Sequence, residues 1–249
     1  MPSMIEAARQ RFPRGLLQPD GTFHFSVDAL LLAAFAPAER RMRFVDLGTG
    51  CGVIGLALCL LHPQLTGLGI ETLAPAAAAA AHNTAQLGLT ERFRVLKHDL
   101  TETAADFFTQ THDLVVANPP WRGEQAGRSP KNPLRARALI DTGAALPVFC
   151  GAAARLLKHK GSFACVYDSA GLPNLLETLR DLRLEPKRLR FVHARTAAPS
   201  RLVLVEARKN SRPGLTVEAP LTLYAAQERG PRALSAQTLA FCPFLACNS

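Results

Sequence analysis

The chain has 249 residues, 48% apolar and 20% charged, which is enough apolar content to fill the core of one large α/β domain with small additions. Lys and Arg number 29 against 20 acidic residues, and the resulting +9 charge points to an anionic partner, most simply nucleic acid, although a merely basic protein is the plainer reading. No apolar run reaches membrane-spanning length, the first residues lack the basic-then-apolar pattern of a signal peptide, and the six cysteines form no CxxC pair. A membrane protein, a metal site and a disulfide scaffold are therefore not expected. The expected setting is the cytoplasm, with reduced and mostly buried thiols.

Residues 1–27 are basic, then aromatic, with a tight turn predicted at Asp20-Gly21. Ser26 has N-cap chemistry, and Asp28 stands in the first turn of a helix running to about Phe35 that is apolar enough to be buried. Phe44-Val45-Asp46-Leu47 reads as a short strand opening into Gly48-Thr49-Gly50-Cys51-Gly52, and Val53–Leu61 as the helix after it. Further strands are expected at Leu65–Ile70, ending at Glu71, at Phe93–Lys97, ending at His98-Asp99, and at Leu114–Ala117, ending at Asn118. A helix from about Pro75 to Leu87 has Pro in its first turn and Gly88 just past its end. Residues 136–157 are expected to be mainly helical, Gly161–Asp168 a fifth strand and Leu172–Leu182 a helix. Arg188–Ala194 and Leu202–Ala207 leave no room for a helix between them, so they should form an antiparallel edge hairpin. From about Ser211, Pro213-Gly214, Ala219-Pro220 and Gly230-Pro231 predict an irregular strap. The expected fold class is α/β and Rossmann-like: a seven-stranded, mostly parallel sheet with an antiparallel edge hairpin and helices on both faces.

Open sheets of this kind bind ligands beyond the carboxyl ends of their strands, where the strand order reverses. Gly48, Gly50 and Gly52 after a strand suit a dinucleotide, or only a tight packing turn. Their companions sharpen the reading. Asp46 precedes the glycines, Glu71 lies about twenty residues on, where a carboxylate can hold both ribose hydroxyls, and Asp99, beside Leu100, is placed to meet an adenine amine. Asn118-Pro119-Pro120-Trp121 leaves the sheet abruptly, because proline has no N–H to continue the pairing. There an amide oxygen and a backbone carbonyl can accept both hydrogens of a planar NH2, while the aromatic ring covers its π-face. The alternative is a plain turn after a strand. The glycine spacing departs from the dinucleotide fingerprint, and an amine trap has no use for hydride transfer. A sulfonium methyl donor, S-adenosylmethionine, is the more coherent ligand.

Asp46 through Gly52, Glu71 and Asn118-Pro119-Pro120-Trp121, in this order, resemble the class I S-adenosylmethionine-dependent methyltransferases of the N6-adenine/N5-glutamine group over about residues 44–209. The resemblance implies cofactor contacts from Asp46, Gly48, Thr49, Gly50, Cys51, Gly52, Glu71, Asp99, Leu100 and Asn118, and amino-group methylation at Asn118, Pro119, Pro120 and Trp121. A narrower resemblance, to the bacterial tRNA adenine-N6 methyltransferases that act beside the anticodon of a valine tRNA, rests on Phe23 through Ala33, on Glu185 through Val192, and on the polar loop with Arg135 and Arg137. It implies RNA, with tRNA the leading candidate, as the partner. Trp121 departs from that family, where Tyr or Phe is usual. Asp28 is open to two readings, cofactor contact or compensation of the helix dipole. So is the basic run 187–212, which opposes eight cations to Glu206 alone. Lys187, Arg188 and Arg190 there either meet RNA or form a solvated edge.

These readings divide the chain into a lead-in and helix on the cofactor side (1–40), a methyltransferase domain (41–210) and a C-terminal strap (211–249). Two rivals stand beside RNA adenine methylation. A release-factor glutamine-N5 methyltransferase shares Asn-Pro-Pro but carries a helical domain ahead of its glycine motif, where fewer than fifty residues precede Asp46 here. A non-catalytic RNA-binding protein that keeps the fold is disfavoured by intact Gly48, Gly50, Glu71 and Asn118.

Overall fold

The computed structural model describes residues 3–101, 109–120, 145–225 and 233–247. The lead-in begins with a helix that the sequence reading missed, α1 (Met4–Arg11), capped by the Ser3 hydroxyl, which accepts from the Glu6 amide. No residue of α1 is buried, so an apolar stripe could not have revealed it. Polar bonds tether it instead: Arg9 donates to the carbonyls of Leu87 and Gly88 at 2.9 and 3.2 Å. The next helix, α2 (Val27–Phe35), is buried almost throughout, as its leucine–alanine run requires.

Strands and helices then alternate: β1 (Arg43–Leu47), α3 (Val53–Leu61), β2 (Thr66–Glu71), α4 (Ala74–Gln86), β3 (Phe93–Lys97), β4 (His112–Ala117), α5 (Ala145–Leu156), β5 (Leu157–Asp168), α6 (Leu172–Asp181), β6 (Leu184–His193) and β7 (Ser200–Lys209). The order β3-β2-β1-β4-β5-β7-β6 is parallel from β3 through β5, and β7 runs antiparallel to both its neighbours. The order reverses between β1 and β4. Alternate residues of each strand enter opposite cores. Phe44, Leu114, Val116, Ala164 and Leu204 pack with α2 and α3, whereas Val45, Leu47, Val115, Phe163 and Cys165 pack with α5 and α6. Burial on both faces explains why these strands read as continuous apolar runs.

Several boundaries differ from the sequence reading. β5 starts at Leu157, not Gly161, because Leu157 pairs with His112 across a register shift in β4. β6 starts at Leu184 because β7 extends to meet it, with a bulge between Pro186 and Arg188 that accommodates the residue unable to donate. The expected strap carries regular structure: β8 (Thr216–Val217) and β9 (Leu221–Thr222) pair in parallel with β6, making nine strands, and α7 (Ala236–Phe241) follows. Cys242 and Leu245 anchor it in the α2 core. Among the described residues all six cysteines are free, and five are buried. No helix there is long and apolar enough to cross a membrane.

Candidate active site

Strand register gathers the site. Asp46 stands opposite Gly69 on one side and Val116 on the other, and Leu47 pairs with both Ile70 and Ala117. Asn118 therefore lies one residue beyond the β1–β4 pairing, beside the glycine turn. Glu71 closes β2 opposite Lys97, and Asp99 follows β3. The strand ends converge on the crevice at the switch point, where an open α/β sheet binds its ligand.

Asp46 is fully buried and organises the turn. Its Oδ2 accepts from the Thr49 hydroxyl at 2.6 Å and from the Gly55 amide at 3.1 Å. Oδ1 has no hydrogen-bond partner among the described residues. Burial pushes this carboxyl up to about 7, against the lowering effect of the Thr49 and Gly55 bonds. The turn itself needs glycine. Gly48 has φ +65°, and a Cβ there would come within 3.1 Å of the Phe149 ring. Gly50 has φ +57°, and a Cβ there would project into open space. Open ground above a backbone in that conformation is where a ligand can approach closely. Glu71 flanks it: its two oxygens accept from the amides of Gly50 and Leu73, both at 2.9 Å. Each oxygen keeps a lone pair, so the carboxylate is aimed and still able to receive a ribose diol. This acidic, glycine-lined crevice fits a cationic nucleoside.

The remaining expected residues fall unevenly. Asn118 and Pro120 are half-buried and Pro119 is buried, and the Asn118 amide has no hydrogen-bond partner among the described residues. Asp99 forms a turn in which its Oδ1 accepts from the Thr101 amide and hydroxyl at 2.9 and 2.7 Å, bonds that hold its carboxyl below the usual range. Leu100 packs against the α5–α6 core. Cys51 is buried, which pushes its thiol up to about 12, so it lines the turn as a protonated thiol. Asp28 is buried in the first turn of α2, where Ser26 makes no side-chain cap. Trp121, Arg135 and Arg137 lie outside the described residues.

Three of the expected RNA contacts have partners inside the protein. Arg188 donates to Glu206 at 2.9 Å, to Glu218 at 3.0 Å and to the Phe35 carbonyl at 2.7 Å, with its guanidinium 4.1 Å from the Phe35 ring centroid. Arg190 Nε lies 2.7 Å from Glu218 Oε2, an ion pair whose N–H direction falls outside hydrogen-bond geometry. Lys187 is held by the Arg212 carbonyl at 3.0 Å. Sequence reasoning missed Asn83, which is fully buried. It accepts from the Leu17 amide at 2.7 Å and donates to the carbonyls of Leu17 and Cys51 at 3.0 and 2.9 Å, fastening the lead-in to the glycine turn. One signal was available: a poor helix former within an alanine-rich helix.

A glycine turn with a buried acid at its entrance, a second acid closing the next strand and a 3-2-1-4-5-7-6 sheet define a class I methyltransferase fold. Residues 26–182 match the family described as methyltransferase small domain, and the chain belongs to that family. The tRNA1(Val) (adenine(37)-N6)-methyltransferase of Enterobacter sp. (strain 638) is 30% identical over 184 residues, covering 68% of this chain and 74% of the relative. The release factor glutamine methyltransferase of Nitratidesulfovibrio vulgaris is 35% identical over 112 residues, 45% of this chain but only 36% of the relative's length. Among solved structures, the predicted O-methyltransferase Atu636 from Agrobacterium tumefaciens matches with TM-score 0.70 at 21% identity, over 87% of this chain and 96% of that one. The protein is an S-adenosylmethionine-dependent methyltransferase.

Proposed function

We propose that this methyltransferase acts on the N6 amine of an adenine in RNA, with a tRNA adenine beside the anticodon as its target. One observation carries the reading: Asn118-Pro119-Pro120 sits at the switch point beside the glycine turn, with the Asn118 amide unengaged among the described residues. The tRNA-modifying relative, which matches across two thirds of this chain, supports adenine as the amine. S-adenosylmethionine, when bound, supplies an electrophilic methyl group.

The residues then act by positioning. An adenine N6 lone pair is delocalised into the ring, so the amine is a poor nucleophile. Asn118 Oδ1 and the Pro119 carbonyl accept its two hydrogens, favour a pyramidal nitrogen and direct the lone pair. Asn118 cannot take a proton at neutral pH, so the proton lost after transfer leaves to water. Trp121 stacks on the flipped base, a contact worth roughly 1–3 kcal/mol. Arg135, Arg137 and Lys187 are proposed to contact the RNA, whereas Arg188 and Arg190 contribute mainly through their internal ion pairs.

The test offers labelled cofactor together with total RNA from cells lacking the gene and, separately, purified release factor. N6-methyladenosine at one tRNA position is the expected product. Label in a release-factor glutamine, with none in RNA, would overturn this reading.

A further inference from the structure

The sheet has a second charged end. Lys158 and Lys160 lie at the start of β5, Arg183 in the turn before β6, Lys187 early in β6, Arg208 near the end of β7 and Arg212 just beyond it. The antiparallel register brings them together: Arg208 pairs with Ser162 and Glu185, and Lys209 pairs with Leu184. Hydrogen bonds knit the same group. The Asn210 amide donates to the Arg183 carbonyl at 2.8 Å, Lys160 Nζ donates to the Asn210 carbonyl at 2.6 Å, and Lys187 donates to the Arg212 carbonyl. Turns with φ of +64° at Lys160 and +58° at Arg183 present the two exposed side chains.

This cluster is opposite the catalytic crevice. β4 and β5 are parallel, and they join Ala117 to Cys165 at one end and His112 to Leu157 at the other. Between those two pairings β4 advances five residues, roughly 17 Å at about 3.3 Å per residue. The carboxylates beside the cluster are mostly engaged: Glu185, opposite Arg208 in the register, lies 3.6 Å from Arg180. Lys158 pairs with Asp113 at 2.8 Å, and Arg208 lies 3.9 Å from Glu206, which Arg188 already engages. Lys160 and Lys187 are held by backbone carbonyls, which fix an ammonium without neutralising it. Arg183 and Arg212 are exposed and have no ion pair among the described residues. Like charges held together raise the local potential, and a polyanion lowers it with release of counterions.

We infer that this amino end of the sheet is a second contact surface for RNA, which tracks phosphates of the same molecule whose base enters the crevice. It rests on the RNA reading above. Because the cluster and the crevice lie at opposite ends of the strands, the partner is a folded RNA large enough to touch both. Contacts of this kind are sequence-independent and steeply salt-dependent.

The experiment uses the full chain carrying Lys160→Glu, Arg183→Glu and Arg212→Glu, and a second version with Gln at the same positions. Affinity for total tRNA and for a short anticodon stem-loop is measured across a salt series, together with melting and S-adenosylmethionine affinity. The Glu variant should bind tRNA at least about tenfold more weakly at low salt, with a log–log salt slope shallower by roughly 2–3. Stem-loop affinity should fall less than tRNA affinity, and cofactor affinity should not change. The Gln variant, free of introduced repulsion, should show the same loss of slope and decides the matter if the Glu variant melts early. If native protein binds tRNA and neither variant alters the slope, this inference is overturned alone. If native protein binds no RNA, it is overturned together with the proposed function.

Discussion

The two ends of the sheet carry opposite charge by one device. At the carboxyl end, Glu71 and Asp99 receive backbone amides from Gly50, Leu73 and Thr101. At the amino end, Lys160, Lys187 and Lys209 donate to the backbone carbonyls of Asn210, Arg212 and Leu157. A backbone dipole orients a charged side chain but leaves its net charge in place. Each end therefore keeps its sign, and the +9 total conceals a division. The acidic end fits a cationic cofactor but repels phosphates, so a polyanion needs attraction from elsewhere. The Arg188–Glu206–Glu218–Arg190 network shows the contrary case. There opposite side chains cancel one another, and the charges hold the protein together rather than a ligand.

The sharpest break in this comparison is expected at Asn118. Asn118→Ala removes a preorganised acceptor at the crevice, so methyl transfer should fall roughly 10²–10³-fold, about 2.7–4 kcal/mol, while cofactor still binds. Single-turnover methylation beside calorimetric cofactor titration measures both, and a native rate in the variant would return Asn-Pro-Pro to the status of a turn. Next in size is Glu71→Ala, which deletes the acceptors for the ribose diol and leaves the Gly50 and Leu73 amides unpaired. S-adenosylmethionine affinity should weaken by about 2–3 kcal/mol, with Glu71→Gln between the two. Undiminished affinity would mean that the carboxylate only props the turn. Arg188→Ala should act on folding instead. Glu206 is 6% exposed and would lose its closest cation, so stability should drop by about 2 kcal/mol, discounted for the half-exposed arginine. Its salt slope on tRNA should stay native. A changed slope without a changed melting temperature would make this network a ligand surface after all.

Legibility in the sequence followed the same division. Glu71 and Asn118 could be read because each closes an apolar strand run, and Asp46 because it is the one acid in the short apolar run just before the glycines. The amino end gave no such mark. Lys158-His159-Lys160 is charged and looks like a loop, and it belongs to β5 only through the Leu157 and Ser162 pairings with β4 that flank it across a register shift. The basic run 187–212 was visible, but not its sorting, because Arg188 meets Glu218 across 30 residues of chain. β8 and β9 are two residues each, too short for any periodicity. Pairing to β6 alone defines them.

The smallest expected effect concerns Asp46 and runs through pH. Its carboxyl lies near 7 in the fold against a usual 3.8, because it is buried. Between about pH 4 and 7 it is protonated in the folded chain and ionised in the unfolded one, so folding takes up a proton. Its stabilising contribution is complete below about 4 and is lost as pH rises through about 7. His112 opposes it in nearly the same window: burial lowers it from 6.5 to about 4, so its contribution is lost as pH falls from 6.5 to 4. The native melting profile should therefore be flat across this range. Asp46→Asn keeps an acceptor for Thr49 and Gly55 but removes the titration, so its stability should rise with pH through the histidine step. Cofactor binding reports the same group from the other side. A cationic ligand favours ionised Asp46, so native affinity should increase with pH through about 7, by at most about tenfold per unit, and Asp46→Asn should bind with no such slope. A native affinity that is level between about pH 6 and 8 would show that the crevice's acidic character resides in Glu71 and Asp99, and that Asp46 serves only to shape the turn.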